Sequence, residues 1–134
     1  PGCKVLYVED NPANIRLMEH VFKEHTNISL LSTMQSDEML ALVKKHQPSL
    51  ILLDINLPDV SGIDLIKLVQ KSEYASDILI VAVSANAMSE DIEKVMAAGF
   101  DDYITKPVDI NQFIRVLRNL LQKSGNRHSQ KMVL

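Results

Sequence analysis

The sequence LILLDINLP, residues 50–58, runs from four aliphatic residues through Asp54 into a segment that ends in proline. An apolar run this short, with no alternating polar positions, is typical of a β-strand that is covered on both faces of a parallel sheet. Similar runs occur at residues 5–8, 28–31, 78–83 and, more weakly, 100–104. We therefore predict five strands, with Asp54 at the end of the third.

Segments with helical spacing separate these runs. Asn11-Pro12 provides an N-cap and a first-turn proline for the first helix, and Ile15 lies either at the rim of the core or on a surface for a partner. The residues expected to be buried are Leu17, Met18, Val21 and Phe22 in the first helix and Leu40 and Val43 in the second. The expected helix boundaries are Ser36, Ser61, Gly99 and Asp109.

Strands that alternate with helices predict an α/β fold. For five strands we expect a doubly wound, flavodoxin-like parallel sheet of order 2-1-3-4-5 with five helices. In that order the first and third strands are neighbours, so the ligand crevice would lie at their carboxyl ends.

The composition fits one acidic globular domain. The 134 residues are 46% hydrophobic and carry a net charge of -3. Residues 1–122 contain 11 Lys and Arg against 17 Asp and Glu, which gives this part -6. Such a balance lacks the positive charge that nucleic acid or an anionic membrane attracts, so no direct nucleic-acid partner is expected. We predict a folded domain over residues 1–122, followed by a polar, basic tail or linker at 123–134.

The remaining bulk features favour a reducing compartment. The single cysteine, Cys3, cannot form an internal disulfide. No apolar run approaches the ~20 residues of a membrane-spanning helix. We therefore predict a cytoplasmic location and no membrane segment in this chain.

Chemically active residues follow the predicted strands. Glu9 and Asp10 follow the first strand and Asp54 ends the third, so three carboxylates should converge in the crevice. Such a set suits Mg²⁺ (or Mn²⁺). The alternative is that the three acids serve only as helix caps and turn residues. Ser84 ends the fourth strand. Lys106 follows the fifth, as a structural counter-ion, as a clamp on a phosphoryl group, or as both. The bond to Pro107 could be cis and would then form a tight turn.

These motifs together resemble one family. From about residue 3 to residue 121 the chain is similar to the receiver domain of two-component response regulators. The matching motifs are Val8-Glu9-Asp10-Asn11, Leu53-Asp54-Ile55-Asn56-Leu57-Pro58 with Gly62, Val83-Ser84-Ala85, Ala98-Gly99-Phe100-Asp101-Asp102-Tyr103 and Thr105-Lys106-Pro107.

The resemblance implies a role for each site residue. Asp54 would accept a phosphoryl group from a phosphohistidine, with Lys106 and Ser84 assisting. The implied Mg²⁺ ligands are Asp10, Asp54, Glu9 (mostly through water) and the backbone carbonyl of Asn56. Ser84 and Tyr103 would form a switch pair, and Asn56 and Asn86 would tune the phosphoryl lifetime.

The resemblance also implies phosphorelay signalling. The expected partners are a sensor histidine kinase or a histidine-phosphotransfer protein, together with a downstream effector protein or attached domain. The surface expected to change comprises the fourth helix, the fifth strand and the fifth helix. Such a domain catalyses only its own phosphorylation and dephosphorylation. The local sequence around Glu9 and Ser84 is most similar to that of receivers in hybrid sensor kinases. If the chain comes from such a protein, the parent would be a histidine kinase.

Three other functions are weighed against this one. An aspartyl-nucleophile phosphohydrolase usually has Asp-x-Asp after its first strand, whereas Asp54-Ile55-Asn56 follows the third. A flavodoxin-like cofactor binder would be repelled by Glu9 and Asp10 near a flavin phosphate. A receiver that signals by protein contact without phosphorylation would not need the complete acidic set.

Overall fold

The computed structural model describes residues 3–24, 28–57, 60–74, 76–85 and 88–120. The strands are β1 (Cys3–Val8), β2 (Ile28–Thr33), β3 (Leu50–Asp54), β4 (Leu79–Ser84) and β5 (Asp102–Thr105). The helices are α1 (Pro12–Phe22), α2 (Met39–His46, preceded by a 3₁₀ turn at Ser36–Glu38), α3 (Gly62–Gln70), α4 (Ser89–Ala98) and α5, described over residues 110–120. The predicted tail at 123–134 lies outside the described residues.

The strands form one parallel sheet in the order β2-β1-β3-β4-β5, as predicted. All residues of β3 and β4 are buried, which explains why their sequences show no alternation. The register pairs Val8 with Leu53 and Ser84 with Thr105, so the strands end close to one another at a single edge.

Helices cover both faces of the sheet. One apolar cluster joins α1 and α5 to residues such as Val5, Tyr7 and Leu52, and the other joins α2, α3 and α4 to residues such as Leu6 and Leu53. Alternate residues of a strand point to opposite faces, so Tyr7 and Glu9 are on the side that α1 covers.

The predicted boundaries at Asn11, Ser61 and Gly99 are confirmed, whereas Ser36 only begins a 3₁₀ turn without a side-chain cap and α2 starts at Met39. The side chains of Asn11 and Ser61 accept hydrogen bonds from backbone N–H groups in the first turns of α1 and α3. Gly99 ends α4 with a φ of 110°, a left-handed conformation that glycine adopts without strain.

One core assignment was wrong, and two others, Val21 and Leu40, are only partly buried beside the core. Leu17 is 51% exposed, because α1 buries Ile15, Met18 and Phe22, and Leu17 lies about 200° around the helix from Ile15. The open question about Ile15 is thereby answered in favour of the core. In α2, Met39 and Val43 form the buried stripe one turn apart, while Leu40 is only half-buried. Phe100 is buried but precedes β5, which begins at Asp102.

No helix in the described ranges is both long and apolar enough to cross a membrane.

Candidate functional site

Three carboxylates meet where β1 and β3 end. Glu9 and Asp10 follow β1, and Asp54 is the last residue of the neighbouring β3. One oxygen from each lies within 4.8 Å of the others. Glu9 and Asp54 are buried, whereas Asp10 is exposed, so the cluster opens to solvent on one side. The predicted convergence of these three acids is therefore present in the structure.

Lys106 bridges the two buried acids. Its Nζ lies 2.8 Å from Asp54 Oδ2 and 3.2 Å from Glu9 Oε1. The backbone N–H of Lys106 donates to the carbonyl oxygen of Ser84 at 2.8 Å, which attaches the segment after β5 to the end of β4. The Lys106–Pro107 bond is cis. The hydrogen bond to Ser84 anchors this segment, and the Lys106 ammonium group reaches the acidic cluster from the end of β5.

Two residues that the sequence analysis missed also contact Glu9. The Tyr7 hydroxyl donates to Glu9 Oε1 at 3.2 Å, and Asn14 Nδ2 donates to the same oxygen at 2.6 Å. The backbone N–H of Asp10 donates to Glu9 Oε2 at 3.1 Å. A signal for Tyr7 was available, because it is the one residue with a polar group in the apolar run 5–8 and lies two positions before Glu9.

The two buried acids, Glu9 and Asp54, have pKa values that are shifted in opposite directions. Burial raises the pKa of Glu9 to about 7, and the neighbouring Asp54 carboxylate adds to that rise. Burial acts against ionisation of Asp54 too, but hydrogen bonds from the Glu9 carboxyl, the Lys106 ammonium and the Asn56 N–H lower its pKa. Asp54 is therefore the acid that stays ionised.

The lysine is held in its charged form. Partial burial acts to lower the pKa of Lys106, but its hydrogen bond to Asp54 and the charges of Asp54 and Glu9 raise it overall. Burial is likewise the main reason that the pKa of the Tyr7 hydroxyl is raised, with Glu9 beside it. Tyr7 is therefore a protonated donor at neutral pH.

The donor set fits a small divalent cation. Carboxylate oxygens are hard ligands of the kind that Mg²⁺ and Mn²⁺ prefer. Among the described residues, Lys106 is the cation within ion-pair distance of the buried acids, so the three carboxylates in their ionised forms exceed it by two negative charges. A divalent ion would neutralise that excess, and the exposed Asp10 side leaves room for its water ligands.

Of the other predicted residues, Asn56 contacts the acidic cluster, and Ser84 and Tyr103 lie on β4 and β5. The backbone N–H of Asn56 donates to Asp54 Oδ1 at 2.9 Å, while Asn56 itself is exposed. Ser84 is buried at the end of β4. Tyr103 pairs with Ala82 in the sheet. Its half-buried side chain packs against the apolar core cluster that α2, α3 and α4 cover. Asn86 lies outside the described residues.

Gly62 holds the segment after Asp54 in place. A Cβ atom on Gly62 would lie 2.6 Å from the Cα of Ile55 and 3.1 Å from the carbonyl oxygen of Asp54. The first turn of α3 therefore rests directly on the backbone that carries Asp54, an approach that only glycine permits.

The chain belongs to the response regulator receiver family, whose domain model matches residues 5–118. It is 36% identical over 117 residues to the polar-differentiation response regulator DivK of Brucella ovis, which covers 87% of this chain and 94% of DivK. It is therefore a receiver domain of two-component signalling.

Solved structures agree with this assignment. A CheY-like receiver domain protein from Methanospirillum hungatei superposes with a TM-score of 0.81 over 95% of this chain and 99% of its own, and its 24% identity supports the fold alone. The Saccharomyces cerevisiae receiver domain of Ssk1, solved in complex with the histidine phosphotransfer protein Ypd1, has a TM-score of 0.75, 29% identity and 84% coverage of both chains.

Proposed function

We propose that this domain accepts a phosphoryl group on Asp54 from a phosphohistidine in a reaction that needs Mg²⁺ (or Mn²⁺). The observation that carries the proposal is the contact of 2.8 Å between Asp54 Oδ2 and Lys106 Nζ, inside a cluster of three carboxylates. An ionised aspartate beside a fixed ammonium and a cation site is the arrangement that phosphoryl transfer to a carboxylate needs.

In the transfer step, a carboxylate oxygen of Asp54 bonds to phosphorus as the bond from phosphorus to the partner's imidazole nitrogen breaks. The electron pair of the broken bond stays on the imidazole. Lys106 would offset the negative charge of the transferring oxygens, and the Ser84 hydroxyl would donate a hydrogen bond to one of them. In the hydrolysis step that restores the resting state, a water oxygen bonds to phosphorus as the bond from phosphorus to Asp54 breaks. The electron pair of that bond stays on the Asp54 carboxylate, and inorganic phosphate leaves with the protons of the water.

Asp10, Asp54 and the backbone carbonyl of Asn56 would hold the ion directly, with Glu9 acting mostly through water. When bound there, the ion would neutralise charge on the phosphoryl oxygens. The placement of Asn56 is supported by its N–H bond to Asp54 Oδ1, which fixes this segment beside the acceptor. Asn56 and Asn86 would set how long the phosphoryl group persists.

The change of surface would begin at Ser84 and Tyr103. Movement of the Ser84 side chain toward the phosphoryl group would open space for the ring of Tyr103 to turn inward, so α4, β5 and α5 would present a different surface. The attachment of Lys106 N–H to the Ser84 carbonyl supports coupling between the ends of β4 and β5.

The proposed partners are a sensor histidine kinase or a histidine-phosphotransfer protein as donor and an effector protein or attached domain as receiver of the signal. The similarity to the receiver of Ssk1, which was solved with such a phosphotransfer protein, supports the donor class. We further propose that the domain comprises residues 1–122, with a linker or tail after it, acts in the cytoplasm, and catalyses only its own phosphorylation and dephosphorylation.

Intact mass measurement tests this function. The native chain, Asp54→Asn and the matched control Asp64→Asn, an exposed acid on α3, are incubated with a small acyl phosphate with and without Mg²⁺. We expect a gain of one phosphoryl group that needs Mg²⁺, persists in Asp64→Asn and is lost in Asp54→Asn.

No gain in the native chain would overturn the proposal. If the native chain gained no phosphoryl group but still bound a signalling partner, it would be a phosphorylation-independent interaction module. Sustained turnover of phosphate esters would instead identify a phosphohydrolase.

A further inference from the structure

We propose that Tyr7 and Asn14 are positioning residues that hold one oxygen of Glu9, so that the other oxygen serves the divalent cation. This inference rests on the proposed function, because it concerns the same cation site. It assigns a role to two side chains outside the acid, lysine and hydroxyl set of the reaction.

The two oxygens of Glu9 differ sharply in their contacts. Oε1 lies 2.6 Å from Asn14 Nδ2, 3.2 Å from the Tyr7 hydroxyl and 3.2 Å from Lys106 Nζ. Oε2 accepts from the backbone N–H of Asp10 at 3.1 Å. A carboxylate oxygen has about two lone pairs, so three donors saturate Oε1. The protonated Glu9 carboxyl also hydrogen-bonds Asp54. Once Glu9 is ionised, Oε2 accepts fewer of these donors than Oε1 and is thus the oxygen with capacity left for a cation or its water.

Burial makes this arrangement depend on the protein. Glu9 has no exposed surface, so side-chain donors and not bulk solvent determine the direction of its carboxyl group. Tyr7 lies two residues earlier on the same face of β1, and Asn14 comes from the first turn of α1, which covers that face. The two donors therefore approach Oε1 from two different elements and fix the plane of the carboxyl group.

Tyr7 and Asn14 differ from Lys106 because Lys106 divides its contacts between two acids. Lys106 is shared between Glu9 and Asp54, and its contact with Asp54 is the shorter, at 2.8 Å against 3.2 Å. When Lys106 turns to a phosphoryl group on Asp54, Oε1 loses that donor. Tyr7 and Asn14 are neutral, and among the described residues Glu9 is the acid to which each donates a hydrogen bond. They therefore keep Oε1 satisfied and Glu9 in place through the reaction.

Both residues could also be needed only for packing. Tyr7 is 1% exposed and belongs to the core cluster under α1. The substitution Tyr7→Phe separates the two roles because it keeps the ring and removes the hydroxyl. Asn14 is half-buried, so Asn14→Ala removes the amide with little loss of core volume.

The test is Mg²⁺ titration of the full chain, followed by the NMR shifts of two backbone amides. The Asp10 N–H contacts Glu9 Oε2 and the Asn56 N–H contacts Asp54 Oδ1, so both report directly on the cation site. We expect the Mg²⁺ concentration for half-saturation to rise about tenfold in Tyr7→Phe and in Asn14→Ala, the lower end of the usual effect of removing a partner of a metal ligand.

Matched controls are Tyr74→Phe, beyond α3, and Asn119→Ala, exposed near the far end of α5. Both should titrate as the native chain does. In the Glu9→Ala background, Tyr7→Phe should cause no further change, because the oxygen that it positions is gone. The free energy of unfolding without Mg²⁺ gives a second readout, since a purely structural role would lower it and leave half-saturation unchanged.

Half-saturation at the native Mg²⁺ concentration in both Tyr7→Phe and Asn14→Ala would overturn the inference while the transfer of phosphate to Asp54 could still stand. A rise in Tyr7→Phe that persisted in Glu9→Ala would also overturn it. No response of the native amides to Mg²⁺ would refute both this inference and the cation requirement of the proposed function.

Discussion

Lowering the pH from 8 to 6 is expected to weaken Mg²⁺ binding about tenfold, because the ion needs the ionised form of Glu9. With a pKa of about 7, Glu9 is ionised in roughly nine of ten molecules at pH 8 and in roughly one of ten at pH 6. Asp54, whose pKa is lowered, stays ionised across this range. The loss of affinity should therefore follow the titration of a single carboxyl group.

The same amide titration measures this effect at several pH values. A plot of the logarithm of half-saturating Mg²⁺ against pH should be flat above about pH 8 and should approach a slope of one decade per pH unit below about pH 6. Glu9→Gln should bind Mg²⁺ more weakly and with almost no dependence on pH in this window. Half-saturation that did not change from pH 8 to pH 6 in the native chain would refute the reasoning.

Lowering the pH weakens Mg²⁺ binding, but it should stabilise the Mg²⁺-free chain. The fold raises the pKa of Glu9 from 4.5 to about 7, so its contribution to stability is complete below pH 4.5 and is lost as the pH rises to 7. The upper limit of that loss is ~3 kcal/mol. Asp54 does not contribute to this decline. Because its pKa is lowered, its ionised form stabilises the fold, and that stability is lost only at pH values below the range from 4.5 to 7. Urea unfolding with a chelator present should show this decline in the native chain and much less of it in Glu9→Gln.

Three further predictions concern single side chains. Gly62→Ala should lower the free energy of unfolding by about 1–3 kcal/mol in urea titrations, because its Cβ would lie 2.6 Å from the Cα of Ile55; native stability would refute that approach. Lys106→Ala should still accept phosphate, but slowly, and without the native shift changes in α4; unchanged shifts would contradict the assigned role. Phe113→Ala should lose about 3–5 kcal/mol, since the ring is fully buried, and a loss below 1 kcal/mol would contradict its place in the core.

The spacing of short apolar runs along the chain was enough to predict the architecture. Short aliphatic runs separated by amphipathic segments lead to a doubly wound parallel sheet, because such strands must be covered on both faces. The order of strands then brings the ends of β1 and β3 together, and with them Glu9, Asp10 and Asp54. These are consequences of local pattern and of general rules of chain connection.

Side-chain details were less predictable. The exposure of Leu17 and the burial of Ile15 depend on the rotation of α1 about its axis, which an apolar stripe four residues wide does not define. The division of contacts on Glu9 could not be read from the sequence either, since Tyr7 and Asn14 meet at Oε1 only after α1 has packed on β1.

The amino-acid order alone thus accounts for the sheet, the helix ends and the set of acids, because hydrophobic spacing and capping act over a few residues. Tertiary packing determines which acid holds a proton and which stays ionised. Glu9 and Asp54 are both buried carboxylates, but burial and the neighbouring Asp54 raise the pKa of Glu9. At Asp54 burial is outweighed by the hydrogen bonds from Glu9, Lys106 and Asn56, which lower the pKa. That difference makes Asp54, and not Glu9, the nucleophile that the proposed transfer requires.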